Sequence, residues 1–258
     1  MDNSNYQKFK RLHYNDKPLL LPNAWDAKSA RVFEQNGFEA VATSSAAVAN
    51  GLGYEDGETL PFDELCFVVK RILASIDMPL SVDIEGGYSR DHAKVCENIY
   101  KLAYMGVAGI NIEDSVVVDG KRLLLDAAET AEKLGKIKAY CVGNKIDIFL
   151  NLRTDPYLLN VDDRFNETLS RVEAYTKAEA DGIFIPCLTD LGEIKEFTSK
   201  TSLPVNVMCM PNLPDFGQLA DAGIKRITMG PFMFEYLAKQ QAAACVKIRD
   251  EGSFKELF

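Results

Sequence analysis

The sequence predicts an α/β protein folded as a (β/α)8 TIM barrel with a short N-terminal helix. Eight short apolar runs of β type recur along the chain, and segments with helical spacing lie between them. Several helical segments end in glycine just before the next apolar run, as in "AYMGVAGINIED" and "ADAGIKRITMG". Glycine at this point fits the left-handed cap that stops a helix before a strand. The alternative is a doubly wound open sheet, but the chain lacks the G-x-G-x-x-G turn of its dinucleotide-binding form.

The predicted strands are nearly continuous in apolar character, which is typical of parallel strands buried on both faces. They begin at Leu19, Ala40, Pro79, Gly109, Phe149, Gly182, Pro204 and Arg226. Eight strand–helix units fit a chain of 258 residues, an ordinary length for one such barrel. Because no linker or low-complexity tract interrupts the pattern, we expect residues 1–258 to form a single barrel domain.

Three segments between the strands show clear amphipathic spacing of their apolar residues, at 61–77, 90–106 and 162–182. The same spacing precedes the first strand, where Tyr6, Phe9 and Leu12 share one helical face. We expect a short helix there that covers the bottom of the barrel.

The composition is that of a globular protein, with 47% hydrophobic and 26% charged residues. The net charge of −9 argues against a nucleic-acid-binding surface, which needs a basic face, and gives no support for binding an anionic membrane. We expect no signal peptide, because the N-terminal residues lack an apolar core. The six cysteines include no C-x-x-C pair and lie mostly in apolar runs, so we expect reduced thiols and a cytoplasmic location.

Polar residues collect at the C-terminal ends of the second to fifth predicted strands, which is where the active site of such a barrel lies. The motif "SVDIEGGY" places Asp83 and Glu85 at i and i+2, so both side chains should point to the same side of the strand. Glu113, at the end of the next strand, brings a third carboxylate. Hard oxygen ligands of this type suit Mg²⁺, with Mn²⁺ as an alternative. Arg153 is suited to clamp a substrate carboxylate with its planar fork.

These residues also have structural interpretations without a function. The three carboxylates and Arg153 can form a buried ion-pair network, although such a network costs desolvation. Ser44 and Ser45 can cap the helix that follows them.

Five further residues are not expected to catalyse. Asp114 and Asp155 are expected to orient neighbouring groups or to cap helices, and Cys187 to be a small core residue. His13 and His92 lie outside the strand ends and are expected on the surface, so histidine acid–base chemistry is not expected.

Five motifs occur in order at the strand ends: "PNAWDAKSAR", "ATSSAAVANGLGYEDGE", "VDIEGGY", "GINIEDS" and "NLRTD". In this order they resemble the isocitrate lyase/phosphoenolpyruvate mutase superfamily over most of the chain. The resemblance implies a Mg²⁺-dependent barrel that acts on 2-oxo acids, or on substrates that release them, through an enolate. It further implies a homo-oligomer, either a dimer or a tetramer, that takes a small-molecule carboxylate substrate.

The resemblance also implies roles for individual residues. Asp83 matches the main metal-binding aspartate, and Glu85 and Glu113 match carboxylates that hold the metal largely through its waters. The Ser44 side chain and the backbone N–H groups that follow it match a carboxylate-binding turn. The implied substrate-binding residues are Trp25, Ser44, Ser45, Ala46, Asp83 and Arg153. The implied catalytic residues are Asp56, Glu113 and Arg153.

The chain departs from this pattern after the fourth strand. Isocitrate and methylisocitrate lyases carry a "KKCGH"-type loop there with a catalytic cysteine, whereas this chain reads "EDSVVVDGKRLLLDAAETAEKL". Classical isocitrate lyase activity is therefore not expected. Phosphonate-processing members use lysine and asparagine in the same loop, a pattern that Lys121 and Arg122 do not reproduce.

The reaction predicted from the sequence is C–C bond cleavage in a small 2-oxo or hydroxy di- or tricarboxylate through a metal-stabilised enolate. Oxaloacetate decarboxylase-like activity is one form of it. Two alternatives stay open. One is P–C bond chemistry of the phosphoenolpyruvate mutase or phosphonopyruvate hydrolase type. The other is a 2-oxo-acid-binding barrel without efficient catalysis, because a shortened loop would not exclude water from an enolate.

Overall fold

The first barrel strand is split in two by Pro22. The computed structural model, which describes residues 4–258, has short strands on either side of this proline, β1 (Leu19–Leu21) and β2 (Asn23–Ala24). The first half pairs with the last strand of the chain, at Arg226–Thr228, and the second half pairs with the strand at Val41–Thr43. The split strand thus brings the two ends of the nine-stranded parallel sheet together, and the predicted (β/α)8 barrel is confirmed.

All eight predicted strands are present. In addition to β1 and β2, the strands are β3 (Val41–Thr43), β4 (Leu80–Asp83), β5 (Gly109–Glu113), β6 (Ser115–Val118), β7 (Lys121–Leu124), β8 (Phe149–Arg153), β9 (Gly182–Phe184), β10 (Val205–Met208) and β11 (Arg226–Thr228). The strands β6 and β7 stand apart from the barrel as an antiparallel hairpin. The neighbours β5 and β8 have the longest pairing, which sets Glu113 beside Arg153 at the top of the barrel.

Helices follow the barrel strands, and three of them lie in the segments predicted from amphipathic spacing at 61–77, 90–106 and 162–182. They are α1 (Ser4–Leu12), α2 (Ala27–Gln35), α3 (Ser45–Gly51), α4 (Phe62–Leu73), α5 (His92–Met105), α6 (Ala127–Gly143), α7 (Arg164–Lys177), α8 (Leu191–Lys200), α9 (Phe216–Asp221) and α10 (Phe232–Glu251). A short 3₁₀ turn follows at Lys255–Leu257. In α5, the Asp91 carboxylate accepts from Ala93 N at the start, and Gly106 ends the helix at φ 102°. This is the predicted glycine stop.

The helix α1 covers the bottom of the barrel, as predicted. Its Phe9 is fully buried and meets the ring of Phe149 edge-on, with 5.6 Å between the ring centroids. The expectation that His13 lies on the surface is wrong, because His13 follows this helix inward and is only 1% exposed. Its ring stacks on Phe149 at 4.2 Å, and Nδ1 lies 2.8 Å from Phe9 O. Burial, followed by the charge of Arg226, lowers the pKa of His13 to about 3, so the ring is neutral.

The β6–β7 hairpin fills the region where the sequence predicted only a shortened loop. Asp119 and Gly120 form its tip, with φ of 50° and 73°. Positive φ at both central residues is the requirement of the tight hairpin turn that Asp-Gly favours. The hairpin is tied to the barrel top by a hydrogen bond from Leu125 N to Asp114 O of 2.8 Å.

The C-terminal helix α10 is exposed along most of its length. It runs for 20 residues without one buried side chain, although Tyr236, Leu237 and Val246 are apolar. Between residues 4 and 258, no helix combines the length and the apolar character that crossing a membrane requires.

Candidate active site

A pocket of about 300 Å³ lies at the carboxyl ends of the barrel strands. Its lining includes most of the predicted site residues, namely Ser44, Ser45, Ala46, Asp56, Asp83 and Arg153. Larger surface clefts lie at the bottom of the barrel near α1 and beside α9, away from these carboxylates. We therefore take the strand-end pocket as the candidate site, because catalytic groups of this fold sit at this end.

Asp83 is the last residue of β4 and is held by the loop after β3. Its Oδ2 accepts a hydrogen bond of 2.9 Å from Ser45 Oγ, and its backbone N–H donates to Thr43 Oγ1 at 2.9 Å. Burial raises the pKa of Asp83, and the nearby Arg153 opposes this rise. A carboxylate oriented by a hydroxyl group and facing a polar pocket has the features of a metal or substrate ligand.

Glu85 lies beyond the end of β4, so strand alternation does not set the direction of its side chain. The strand ends at Asp83, and Glu85 adopts a left-handed conformation with φ 49°. Its buried carboxylate turns to the loop after α3, where Oε2 accepts from Glu58 N at 2.8 Å. Burial, followed by the charges of Asp56 and Asp83, raises the pKa of Glu85 to about 8.

Glu113 lies behind the pocket between two guanidinium groups. Its Oε2 is 3.0 Å from Arg153 Nη1, and Oε1 accepts from Arg122 Nη1. Burial raises the pKa of Glu113 to about 7 against the opposing effect of the two arginines. The ion-pair interpretation of the sequence therefore applies to Glu113 and Arg153, whereas Asp83 contacts a serine.

Arg153 is held in one orientation by Asp155. The Arg153 Nε and Nη2 atoms donate to the two oxygens of Asp155 at 2.7 and 3.1 Å. Asp155 is itself completely buried and accepts a hydrogen bond of 2.6 Å from Ser115 Oγ. The expectation that Asp155 orients a neighbouring group matches this geometry, in which the planar fork of Arg153 is fixed at the pocket wall.

Ser44 caps α3, as the structural interpretation of this motif proposed. Its Oγ accepts from Ala47 N at 3.3 Å. The following Ser45 directs both its hydroxyl and, at 3.5 Å, its backbone N–H to Asp83. Ala46 also lines the pocket, so this turn and the two arginines Arg122 and Arg153 share one cavity.

Asp56 enters the pocket from the loop between α3 and α4. Its Oδ2 pairs with Arg122 Nη2 at 3.2 Å, while its Oδ1 is buried without a hydrogen-bond partner. Trp25 does not line the pocket; its ring packs edge-on against Phe234, with 5.3 Å between the centroids.

Arg122 is a pocket residue that the sequence did not place in the site. It lies on β7 of the hairpin and contacts Asp56, Glu113 and, through a 2.9 Å hydrogen bond, Ser115 Oγ. The signal that predicts its position is the Asp-Gly pair between two apolar runs, which favours a hairpin. A hairpin in this position folds Arg122 back over the barrel end.

The site carboxylates (Asp56, Asp83, Glu85 and Glu113) crowd negative charge on one side of the pocket. Asp56 and Asp83 raise the pKa of Glu85, and Asp56 also raises that of Asp83. Of residues 4–258, no three His, Cys, Asp or Glu side chains form a direct metal-ligand set. The unpaired Oδ1 of Asp56 and the excess of carboxylate oxygens nevertheless fit a hard divalent cation that keeps several waters.

Residues 9–249 match the family model for phosphoenolpyruvate phosphomutase. The chain belongs to this family. The superfamily resemblance predicted from the strand-end motifs is thereby confirmed. The uncharacterized protein Rv1998c of Mycobacterium tuberculosis is 33% identical over 240 residues, which is 92% of this chain and 88% of that protein.

Relatives within the phosphomutase family carry lyase and decarboxylase names. The 2-methylisocitrate lyase of Shewanella oneidensis is 29% identical over 82% of this chain and 71% of its own length. The oxaloacetate decarboxylase of Marinomonas sp. is 27% identical over 86% of this chain and 77% of its own length. A crystal structure from Burkholderia cenocepacia J2315 titled "putative phosphonomutase" is 36% identical with a TM-score of 0.87, covering 93% of this chain and 98% of that chain.

Proposed function

We propose that this phosphomutase-family chain is a Mg²⁺-dependent lyase that cleaves a C–C bond in a small 2-oxo or hydroxy di- or tricarboxylate. Oxaloacetate decarboxylation is the simplest such reaction. The observation that carries the proposal is that Ser45, Asp83, Asp56 and Arg153 line one pocket, so carboxylate-binding and cation-binding groups face the same space. The relatives named 2-methylisocitrate lyase and oxaloacetate decarboxylase support this reaction class.

The cation would be held by Asp83 directly, with Asp56, Glu85 and Glu113 acting through its waters. Mg²⁺ suits this set because it prefers carboxylate oxygens and retains water ligands, and Mn²⁺ is the alternative. When bound, it supplies the positive charge that a developing enolate oxygen needs.

The residues of the chain would position the substrate for cleavage. The guanidinium of Arg153 would bind the C1 carboxylate, and the turn at Ser44–Ala46 would donate hydrogen bonds to the same group. When the C3–C4 bond of oxaloacetate breaks, its electron pair passes into the pyruvate enolate and C4 leaves as CO₂. The enolate then gains a proton at C3, and Asp56, whose Oδ1 is unpaired, would pass that proton from solvent to C3.

The alternative of P–C bond chemistry is favoured by one observation, the likeness to the structure titled as a phosphonomutase. The second alternative is a binding barrel without efficient catalysis. A substrate panel separates the three: purified protein with Mg²⁺ is offered oxaloacetate, 2-methylisocitrate and phosphonopyruvate while the formation of pyruvate and of phosphoenolpyruvate is followed. Turnover of oxaloacetate or 2-methylisocitrate supports the lyase. Turnover of phosphonopyruvate alone supports P–C chemistry, and Mg²⁺-dependent oxalate binding without any turnover supports the binding barrel.

We also propose that the chain forms a homo-oligomer, a dimer or a tetramer, in the cytoplasm. The exposed α10 lies beside an apolar cleft lined by Leu20, Leu213, Ile227 and Met233, and neither surface is covered within one chain. A second copy would cover both surfaces, because exposed apolar patches of this kind mark sites of contact between proteins.

A further inference from the structure

The β6–β7 hairpin and the loop that carries Asp56 pack together above one side of the pocket. Gly57 lies so close to the hairpin that a Cβ atom there would be 2.9 Å from Val117 Cβ, and its φ is 108°. The next residue, Glu58, is tied to the loop after β4 by a hydrogen bond of 2.7 Å from Tyr88 N to its Oε1. The Asp56 loop is therefore held on both sides, and its contact with the hairpin places Arg122 at the pocket.

The positive charge of Arg122 is shared among three carboxylates. Its side chain is 16% exposed and pairs with Glu113 and with Asp56, and Nη1 is 3.7 Å from Asp155 Oδ2. Arg153 already pairs with Glu113 and Asp155. Arg122 supplies the second positive charge for these two buried carboxylates, and only its contact with Asp56 extends from them toward the pocket.

The contacts of Arg122 differ in how readily they can be exchanged. Its partner Glu113 is 3% exposed, whereas the side chain of Asp56 is 39% exposed. An ion pair that is open to water contributes little stability, because both charges are nearly as well solvated apart. The Asp56 pair is therefore the one that a ligand carboxylate can replace at small cost.

We propose that Arg122 selects substrates with a second anionic group, by exchanging its contact with Asp56 for a contact with that group. The inference rests on the proposed function, in which Arg153 and the Ser44–Ala46 turn bind the first carboxylate. Arg122 then binds the distal carboxylate. The two arginines contact different oxygens of Glu113, Arg122 at Oε1 and Arg153 at Oε2. The exchange leaves Asp56 without its cationic partner.

The same geometry explains how a chain without the long loop of its relatives can recognise the distal end of a substrate. The hairpin is short and its Arg122 is already folded over the barrel end, so recognition requires no closure of a long loop. A planar guanidinium that binds a carboxylate in two places gives the required directionality.

The test compares two ligands in the presence of Mg²⁺ by titration calorimetry. Oxalate occupies only the proximal part of the site, whereas 3,3-difluorooxaloacetate also presents a distal carboxylate. We expect Arg122→Gln to weaken binding of 3,3-difluorooxaloacetate by ~10- to 100-fold, which is the range for a lost charged hydrogen bond. The affinity for oxalate should change by less than about twofold. The matched control is Lys121→Gln on the exposed side of the same strand, which should alter neither affinity.

A second variant removes the competitor instead of the arginine. Asp56→Asn should tighten 3,3-difluorooxaloacetate relative to oxalate, since the distal carboxylate no longer displaces a charged partner. Thermal unfolding of each variant shows whether it is folded. Arg122→Lys keeps the positive charge and should therefore retain part of the selectivity that Arg122→Gln loses.

The outcomes separate this inference from the proposed function. The role of Arg122 alone would be overturned by one result. In that result oxalate still binds, and neither Arg122→Gln nor Asp56→Asn changes the ratio of the affinities for 3,3-difluorooxaloacetate and oxalate. Failure of the wild-type chain to bind either ligand with Mg²⁺ would overturn the proposed function and this inference with it.

Discussion

Glu113 and Arg153 lie side by side at the ends of paired strands, with Glu113 Oε2 3.0 Å from Arg153 Nη1. The relationship is fixed by the parallel register of β5 and β8, which sets the two residues opposite each other. Asp155 holds the other edge of the same guanidinium. Arg153 therefore presents a fixed plane to the pocket and recognises a ligand by geometry more than by net charge.

Replacing Glu113 with glutamine tests whether this pair is functional. Glu113→Gln keeps the shape of the side chain but removes the charge between the two arginines. We expect kcat/KM for the substrate found in the panel to fall by ~10- to 100-fold, as is typical when a group that orients a ligand is removed. Steady-state kinetics measures this. A variant with lower thermal stability and unchanged kcat/KM would show a purely structural ion pair.

Asp83 should be essential for cation-dependent ligand binding. Asp83→Ala removes the carboxylate that the Ser45 hydroxyl orients at 2.9 Å, so Mg²⁺ loses its proposed direct ligand. We expect Mg²⁺-dependent oxalate binding to disappear in calorimetry. Glu97→Gln on the exposed surface of α5 is the control and should bind normally. Retained oxalate binding by Asp83→Ala would refute the metal assignment.

Much of the fold was predictable from the sequence because its periodic signals are strong. Strands buried on both faces are almost continuously apolar, and amphipathic helices separate them, so each barrel strand was located from its own residues. The split of strand one was not predicted. It follows from Pro22, which has no N–H to donate to a neighbouring strand and so interrupts the ladder.

The errors arose where a side-chain direction depends on tertiary structure. Strand alternation does not apply to Glu85, because the backbone leaves the extended region there, with φ 49°. His13 is polar and follows a short helix, but α1 lies across the barrel bottom and turns it inward. Arg122 does not match the loop pattern of the phosphonate-processing members, although its Asp-Gly turn folds it into the site.

The raised pKa of Glu85 predicts a stability that depends on pH in the absence of a cation. The folded-state value of about 8 lies above the ordinary value of 4.5. Between these values the folded chain holds a proton that the unfolded chain releases, so stability falls as pH rises from about 4.5 to 8. The loss is at most roughly 5 kcal/mol, at about 1.36 kcal/mol for each pKa unit.

Thermal unfolding in EDTA at pH 5.5 and pH 8.5 measures this effect. The wild-type chain should melt at a lower temperature at pH 8.5, and Glu85→Gln should reduce the difference because the amide does not titrate. Added Mg²⁺ should raise the melting temperature at pH 8.5, since a cation stabilises the ionised carboxylates. A pH dependence that is the same in Glu85→Gln and the wild type would contradict this assignment.

The exposed helix α10 predicts that a single charge disrupts the oligomer. Leu237 is 46% exposed on a helix with no buried residue, so burial against a second copy is the expected source of its stabilisation. Leu237→Asp should place a charge in that contact and lower the molar mass found by light scattering after size exclusion. Val142→Asp, at a 75% exposed position on α6, makes the same chemical change outside the proposed contact and should leave the mass unchanged. A wild-type chain that is monomeric, or a Leu237→Asp variant of wild-type mass, would show that α10 is not the contact. Because the active-site pocket is lined within one chain, the proposed chemistry is tested separately from this result.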